Sequence, residues 1–101
     1  MTCSVEIRGG TVHIDGEMTI YAAANLKEDL FAAIAGRQQC RVDLSNISEL
    51  DMSGLQMLLM AKRICVHRNA HFSVVQASAA VREVAELLRI DDLCAAPTVE
   101  A

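Results

Sequence analysis

The chain has 101 residues, of which 52% are hydrophobic and 22% are charged, a balance that excludes intrinsic disorder and predicts one folded domain over residues 1–101. Its formal net charge of −4 and its aromatic share of 3% argue against nucleic acid as a partner, because a polyanion attracts clustered positive charge and single strands need aromatic platforms. No apolar run approaches the roughly 18 residues of a membrane span, and no signal-peptide pattern is present. We therefore expect a cytoplasmic protein with no membrane insertion.

The first third of the chain predicts a β-hairpin followed by a helix. Apolar and polar residues alternate over residues 3–7 and again over residues 12–14, and the Gly9-Gly10 pair between them suits a tight turn. From about residue 20 to residue 34, apolar side chains recur at spacings of three and four, and Gly36 supplies a C-terminal stop. This second pattern is typical of an amphipathic helix.

The remaining residues alternate between strand and helix patterns. A strand at 40–44 precedes a loop at 45–52, and a helix is expected from about Ser53 to Arg68. A strand at 71–76 and a third helix after Ser78 complete the order β-β-α-β-α-β-α. Helices between strands give parallel neighbours, whereas the hairpin adds an antiparallel edge. The expected fold class is α/β, with a small mixed sheet of about four to five strands and helices packed on it.

The start of the second predicted helix admits two interpretations. Ser53 stands at a cap position, and Gln56 three residues later completes a capping box worth about 1 kcal/mol. A helix N-terminus also favours an anion through its free N–H groups and its dipole, so the same position suits a phosphate on Ser53. Gly54 beside it leaves space for an approaching kinase. We assign no catalytic residue, because Ser53-Gly54 is not a Gly-x-Ser-x-Gly turn and no histidine stands at an obvious base position.

The cysteine and histidine spacing indicates neither metal nor redox chemistry. The four cysteines, Cys3, Cys40, Cys65 and Cys94, are far apart and form no Cys-x-x-Cys motif, so reduced thiols are expected. Cys65 and His67 point roughly 160° apart on a helix and cannot converge on one ion. We expect no metal site and no cofactor.

The second helix carries more apolar surface than one sheet contact requires. A helical projection gives two apolar stripes that together span roughly 260°, against the 100° or somewhat more that packing needs. The stripe with Met57, Met60 and Ile64 is either covered by another helix or exposed as a docking surface. Because it lies nearest the polar stripe of the helix, we assign these three residues to partner binding. The other stripe, with Leu55 and Leu59, is expected to form the core.

The segment around Ser53 resembles a known family. Asp-Leu-Ser-Asn-Ile-Ser-Glu-Leu-Asp-Met-Ser-Gly-Leu at 43–55, in a chain of this length and element order, resembles the STAS domain of bacterial anti-sigma factor antagonists. Gly16-Glu17, Ser78-Ala79-Ala80-Val81-Arg82 and Ile90-Asp91-Asp92-Leu93 are similar to that family too. The stretch at 19–26 is similar to stand-alone members that accompany chemotaxis genes.

The resemblance implies roles for particular residues. Ser53 matches the serine that a partner kinase, which doubles as an anti-sigma factor, phosphorylates and that a phosphatase restores. Asp51 matches an aspartate bordering that site, and Gly54 the glycine that follows the serine. Two positions depart from the family pattern, since Met52 replaces a frequent second serine and Thr19 an aspartate.

The expected function is that of a non-catalytic switch. The resemblance implies a protein that binds its kinase or anti-sigma partner and is released when Ser53 is phosphorylated, with an output in transcription or chemotaxis signalling. The alternative is a constitutive subunit, similar to the STAS-like component of a bacterial phospholipid-transport ATPase, that uses the same surface without phosphorylation.

Overall fold

The computed structural model describes residues 3–89. Its elements in chain order are β1 (Cys3–Arg8), β2 (Thr11–Met18), a 3-10 turn (Ile20–Ala22), α1 (Ala23–Ile34), β3 (Gln39–Leu44), β4 (Ile47–Leu50), α2 (Met52–His67), β5 (His71–Ala77) and α3 (Ala79–Leu87). The predicted α/β order is confirmed, with β4 as an addition in the segment expected to be a loop. The similarity at residues 90–93 and the thiol of Cys94 lie outside the described residues.

The sheet combines one antiparallel pair with parallel neighbours, in the order β1-β2-β3-β5. The hairpin of β1 and β2 closes through Gly9 and Gly10, whose φ angles of 57° and 82° suit a type I′ turn. β2 is long enough to serve two partners: residues 11–13 pair with β3, and residues 16–18 pair with β4. β4 therefore continues along β2 where β3 ends.

One face of the sheet is apolar and the other is polar. Val12, Val42 and Val74 are paired across β2, β3 and β5, and all three are buried. At the next position along β2 and β3, His13 pairs with Asp43, and their Nδ1 and Oδ2 atoms lie 3.6 Å apart. Side chains alternate between faces along a strand, so the helices cover one face while the other presents polar groups.

The helices pack at the apolar face and the edges of the sheet. α1 lies against β1 and α2, α2 also contacts β5, and α3 lies beside β4 and β5. This arrangement brings the start of α2 to the end of β4, so the segment that resembles the family motif lies where β2, β4 and α2 meet.

The buried face of α2 differs from the predicted one. Its buried residues are Gly54, Leu55, Met57, Leu58, Ala61 and Cys65. Met57 is 7% exposed and belongs to the core, whereas Leu59 is 38% exposed, so both assignments were wrong. Part of each predicted stripe is buried, because α2 is oriented so that Leu58 and Ala61 face the core.

We expect Leu58→Ala and Leu59→Ala to separate the two faces of α2. Leu58 is fully buried, so its truncation should cost about 2–5 kcal/mol of unfolding free energy. Leu59→Ala makes the same change one residue later on the exposed side and should cost under about 1 kcal/mol. Denaturant midpoints of both variants measure the difference, and equal losses would contradict the observed orientation of α2.

Candidate functional site at the start of helix α2

Asp51, not Ser53, caps α2. The helix begins at Met52, and the extended backbone of Asp51 lets its Oδ1 atom accept a hydrogen bond from the Gly54 N–H at 3.1 Å. The predicted capping box of Ser53 and Gln56 is therefore wrong. Aspartate and serine are comparable caps, so the choice between two positions this close depends on what else each side chain contacts.

The second oxygen of Asp51 joins the cap to a distant part of the chain. Oδ2 accepts the Ile20 N–H at 2.9 Å, and the Asp51 N–H donates to the Met18 carbonyl oxygen at 3.2 Å. Ile20 and Met18 stand on either side of Thr19, at the exit of β2. One carboxylate thus fixes both the start of α2 and the path of the chain out of β2.

These hydrogen bonds set the charge of Asp51. Burial alone would raise the pKa of its carboxyl, but the N–H groups of Ile20, Gly54 and Ser53 outweigh burial and lower that pKa below its usual value. Hydrogen bonds to the charged form favour that form. Asp51 is accordingly ionised at neutral pH, with both oxygens engaged by the backbone.

Gly54 is required by close packing rather than by access. A Cβ atom at this position would overlap the Met18 carbonyl oxygen and lie 2.8 Å from Met18 Cβ and 2.9 Å from Leu50 Cδ1. Gly54 is buried, so the expectation that it leaves space for a kinase is wrong. Its missing side chain lets the first turn of α2 approach the end of β2.

Ser53 is the second residue of α2 and is half-buried. Its backbone N–H is turned toward the Asp51 carboxylate. The helix dipole makes this end of α2 partly positive, which favours negative charge nearby. The first turn of α2 therefore keeps Ser53 next to the Asp51 carboxylate.

Thr19 and Asp51 line a cleft next to this helix start. The cleft has a volume of about 450 Å³, and its walls are formed by Glu17, Thr19, Tyr21, Glu49, Leu50 and Asp51. Thr19 is 8% exposed, and its Oγ1 atom finds no hydrogen-bond partner in the described part of the chain. Three carboxyl groups line this space, so the region beside Ser53 is acidic.

The predicted docking residues differ in exposure. Met60 is 44% exposed, Ile64 is half-buried against the core, and Met57 is buried. Sequence reasoning missed three exposed apolar residues near the site: Met52 at the start of α2, and Ile20 and Tyr21 in the 3-10 turn joined to Asp51. No periodic pattern could indicate the latter two, because they lie in a turn.

In this site, Asp51 caps the helix, Ser53 supplies a hydroxyl group, and exposed apolar side chains lie nearby. Over residues 3–89, no group of three or more His, Cys, Asp or Glu side chains is arranged to hold a metal ion. In the same range, no helix has the length and apolarity required to cross a membrane.

The sequence matches a family model over nearly its whole length. The model is described as Mlab, STAS domain, and it matches residues 3–95. The chain belongs to the STAS domain family. The resemblance carried by residues 43–55 is thereby confirmed.

Solved structures share the fold of this STAS domain. An anti-sigma factor antagonist from Mycobacterium paratuberculosis is 25% identical, with a TM-score of 0.77 and coverage of 97% of this chain and 86% of the other. The unphosphorylated anti-sigma factor antagonist SpoIIAA is 20% identical, with a TM-score of 0.71 and coverage of 97% and 90%. The phosphorylated form of SpoIIAA, a Bacillus cell fate determinant, is 19% identical, with a TM-score of 0.67 and coverage of 97% and 93%. No curated protein matches this STAS domain significantly.

Removing the cap of this STAS domain should weaken it in a pH-dependent way. Asp51→Ala should lower the unfolding free energy at neutral pH by about 1–2 kcal/mol. Because the pKa of Asp51 is lowered in the folded state, this contribution is complete above the unfolded value of about 4 and is lost as pH falls through the folded pKa. Chemical denaturation from neutral to acidic pH should show the gap between wild type and variant closing.

Ser53→Ala is the matched control for the cap, since it removes the other candidate. It should cost under about 0.5 kcal/mol at any pH. A larger loss for Ser53→Ala than for Asp51→Ala would contradict the assignment of the cap.

Gly54→Ala tests whether packing overrides helix propensity. Propensity alone would stabilise α2 by about 1 kcal/mol, but the new methyl group would overlap the Met18 carbonyl oxygen. We expect a net loss of about 1–3 kcal/mol, as for an overpacked core. Thermal or denaturant unfolding measures it, with the exposed Gln56→Ala as a control on the same helix. A stabilised Gly54→Ala protein would show that α2 does not approach β2 this closely.

Proposed function

We propose that this STAS domain is a non-catalytic regulatory protein of the anti-sigma factor antagonist type, released from a protein partner when Ser53 is phosphorylated. The observation that carries the proposal is the position of Ser53, which is half-buried on the first turn of α2 and is bordered by exposed apolar side chains. The similar solved structures include one antagonist in unphosphorylated and in phosphorylated form. That pair supports a switch of this kind.

The partner surface is centred on the exposed side of α2 near Ser53. Met60 follows Ser53 by two turns and lies about 20° from it around the helix axis. Met52 and Met60 are both exposed, and methionine side chains adapt to different partner surfaces. Ile64 supports the rim from a half-buried position. Met57, which is buried, acts from beneath this surface rather than in direct contact.

Phosphate on Ser53 would change the surface more than the fold. A phosphoserine carries about −1.5 to −2 charge at neutral pH. It would add to the charge of Asp51, two residues away, and of the Glu17 and Glu49 carboxylates that share a cleft with Asp51. A partner complementary to the unmodified surface would then bury an unpaired charge, which costs several kcal/mol, and each 1.4 kcal/mol is about tenfold in affinity.

The site favours regulation over catalysis. Both oxygens of Asp51 already accept backbone hydrogen bonds, and its lowered pKa makes it a weak base. In this proposal Asp51 shapes the loop and places Ser53 for a kinase. The partners are a serine kinase that doubles as an anti-sigma factor and a phosphatase, in the cytoplasm, with an output in transcription or chemotaxis.

A constitutive subunit of a phospholipid-transport ATPase is the second candidate. Met52 and Thr19, where the family often has a serine and an aspartate, favour it, because the first change removes a hydroxyl and the second removes a negative charge near the phosphorylation position. The same surface of α2 would then hold an ATPase subunit permanently, with Ser53 as an ordinary contact residue.

The test combines phosphate transfer with partner binding. We expect ATP-dependent serine kinases of the same cell to place one phosphate on the tryptic peptide of residues 42–62, and Ser53→Ala to abolish it. Ser53→Asp should stay folded and bind the kinase at least about tenfold more weakly than Ser53→Ala. Phosphate found only elsewhere, or nowhere, would refute the switch and favour the constitutive subunit.

Met60→Ala and Val66→Ala form a matched pair for the same binding assay. Both side chains are exposed on α2, but Val66 lies about 140° from Ser53 around the axis. Met60→Ala should weaken binding by about 1–2 kcal/mol, as an interface anchor does, and Val66→Ala should have little effect. Equal effects would place the partner elsewhere on α2.

A further inference from the structure

Two cysteines that are 25 residues apart meet inside the core. Cys40 lies in β3 and Cys65 in α2, and their sulfur atoms are 3.2 Å apart. Both side chains are buried, with at most 1% of their surface exposed, and both are free thiols. Residue spacing does not predict this contact, because the two cysteines form no local motif.

The surroundings of the pair combine thiol, carbonyl and guanidinium groups. The Cys40 Sγ atom lies 3.7 Å from the Arg37 carbonyl oxygen and 3.9 Å from that of Ile34. Arg68 donates to the same two carbonyls, at 2.7 Å and 3.0 Å. The Arg68 cation therefore stands beside the two sulfur atoms, where it favours a thiolate.

The geometry lies close to that of a covalent link. A disulfide bond is about 2.05 Å long, so the two sulfur atoms would need to approach by about 1.2 Å. We propose that Cys40 and Cys65 are a modification site, which a small-molecule disulfide oxidises reversibly to an intramolecular disulfide.

The reaction is a thiol–disulfide exchange in two steps. The thiolate of one cysteine attacks glutathione disulfide, forming a mixed disulfide and releasing one glutathione thiolate, which takes up the proton that the cysteine lost. The second cysteine loses its proton and attacks the protein sulfur of the mixed disulfide, so the protein S–S bond forms and a second glutathione leaves. The two protein thiols are oxidised by two electrons, and one glutathione disulfide is reduced to two thiols.

Burial makes the exchange slow and selective. Desolvation, followed by the neighbouring Cys40, raises the pKa of the Cys65 thiol to about 12, so little thiolate exists while the core is closed. Reaction therefore proceeds through transient opening, and closing brings the two sulfur atoms back together. The link would enclose β4, Asp51, Ser53 and nearly four turns of α2 within one covalent loop.

The experiment uses the full chain and glutathione disulfide as the probe. Trypsin separates the four cysteines into different peptides, with Cys40 in residues 38–41 and Cys65 in residues 64–68. After equilibration with glutathione disulfide and alkylation of the remaining thiols, we expect the folded protein to yield these two peptides joined. The joined fraction should be at least about tenfold greater in the folded chain than in urea, because the fold holds the sulfur atoms together.

Single substitutions define the pair. Cys40→Ser and Cys65→Ser should each abolish the joined peptides, whereas Cys3→Ser, which alters a half-exposed thiol in β1, should leave them unchanged. Oxidation should raise the thermal midpoint of the wild type and not that of Cys65→Ser. The inference is overturned if the folded chain keeps both thiols free at equilibrium, or if it joins Cys3 or Cys94 as readily as it joins this pair.

Discussion

The carboxylate of Asp51 is the interaction on which the candidate site depends. Its two oxygens accept N–H groups from residues 34 positions apart in sequence, Ile20 after β2 and Gly54 in α2. A second hydrogen bond, from the Asp51 N–H to the Met18 carbonyl oxygen, also joins the start of α2 to the exit of β2. The bond to Gly54 is part-buried, and a buried N–H group left unpaired costs about 1–3 kcal/mol, whereas the bond to Ile20 is exposed and contributes less. The exposed side chains of Ile20, Tyr21 and Met52 then share one region beside Ser53.

Gly54 accompanies this bridge. The first turn of α2 lies against Met18, next to the residues that Asp51 binds, and that approach leaves no room for a Cβ atom at position 54. The motif around Ser53 therefore has a structural basis that does not depend on phosphorylation. Asp51 caps α2, Gly54 allows close packing against Met18, and Ser53 lies between them. Support for a regulatory role therefore comes from the exposed apolar side chains near Ser53, and not from the structural roles of Asp51 and Gly54.

Repeating patterns in the sequence predict the structure correctly, whereas features that depend on contacts between distant residues are not predicted. The hairpin, the three helices and β5 follow from alternation and helical spacing over many residues. β4 has four residues without alternation, and it exists because it pairs with the second half of β2. Asp51 and Ser53 are comparable caps locally, and the deciding hydrogen bond comes from Ile20. Likewise, the helical projection identified the apolar residues of α2, but the contacts of α2 with α1 and β5 determine that Met57 is buried and Leu59 exposed.

In the proposed switch, the cap also governs how a phosphate on Ser53 would act. The dipole of α2 attracts an anion, but the Asp51 carboxylate already occupies the Gly54 N–H and is held ionised there. A second anion two residues away would gain less from the helix than it would at an uncapped N-terminus, and it would face the charge of Asp51 across a short distance. In the proposed switch the phosphate would therefore be directed toward solvent, where Met52 and Met60 are exposed. The same carboxylate that builds the site would in this way keep the modification on the surface, where a partner meets it.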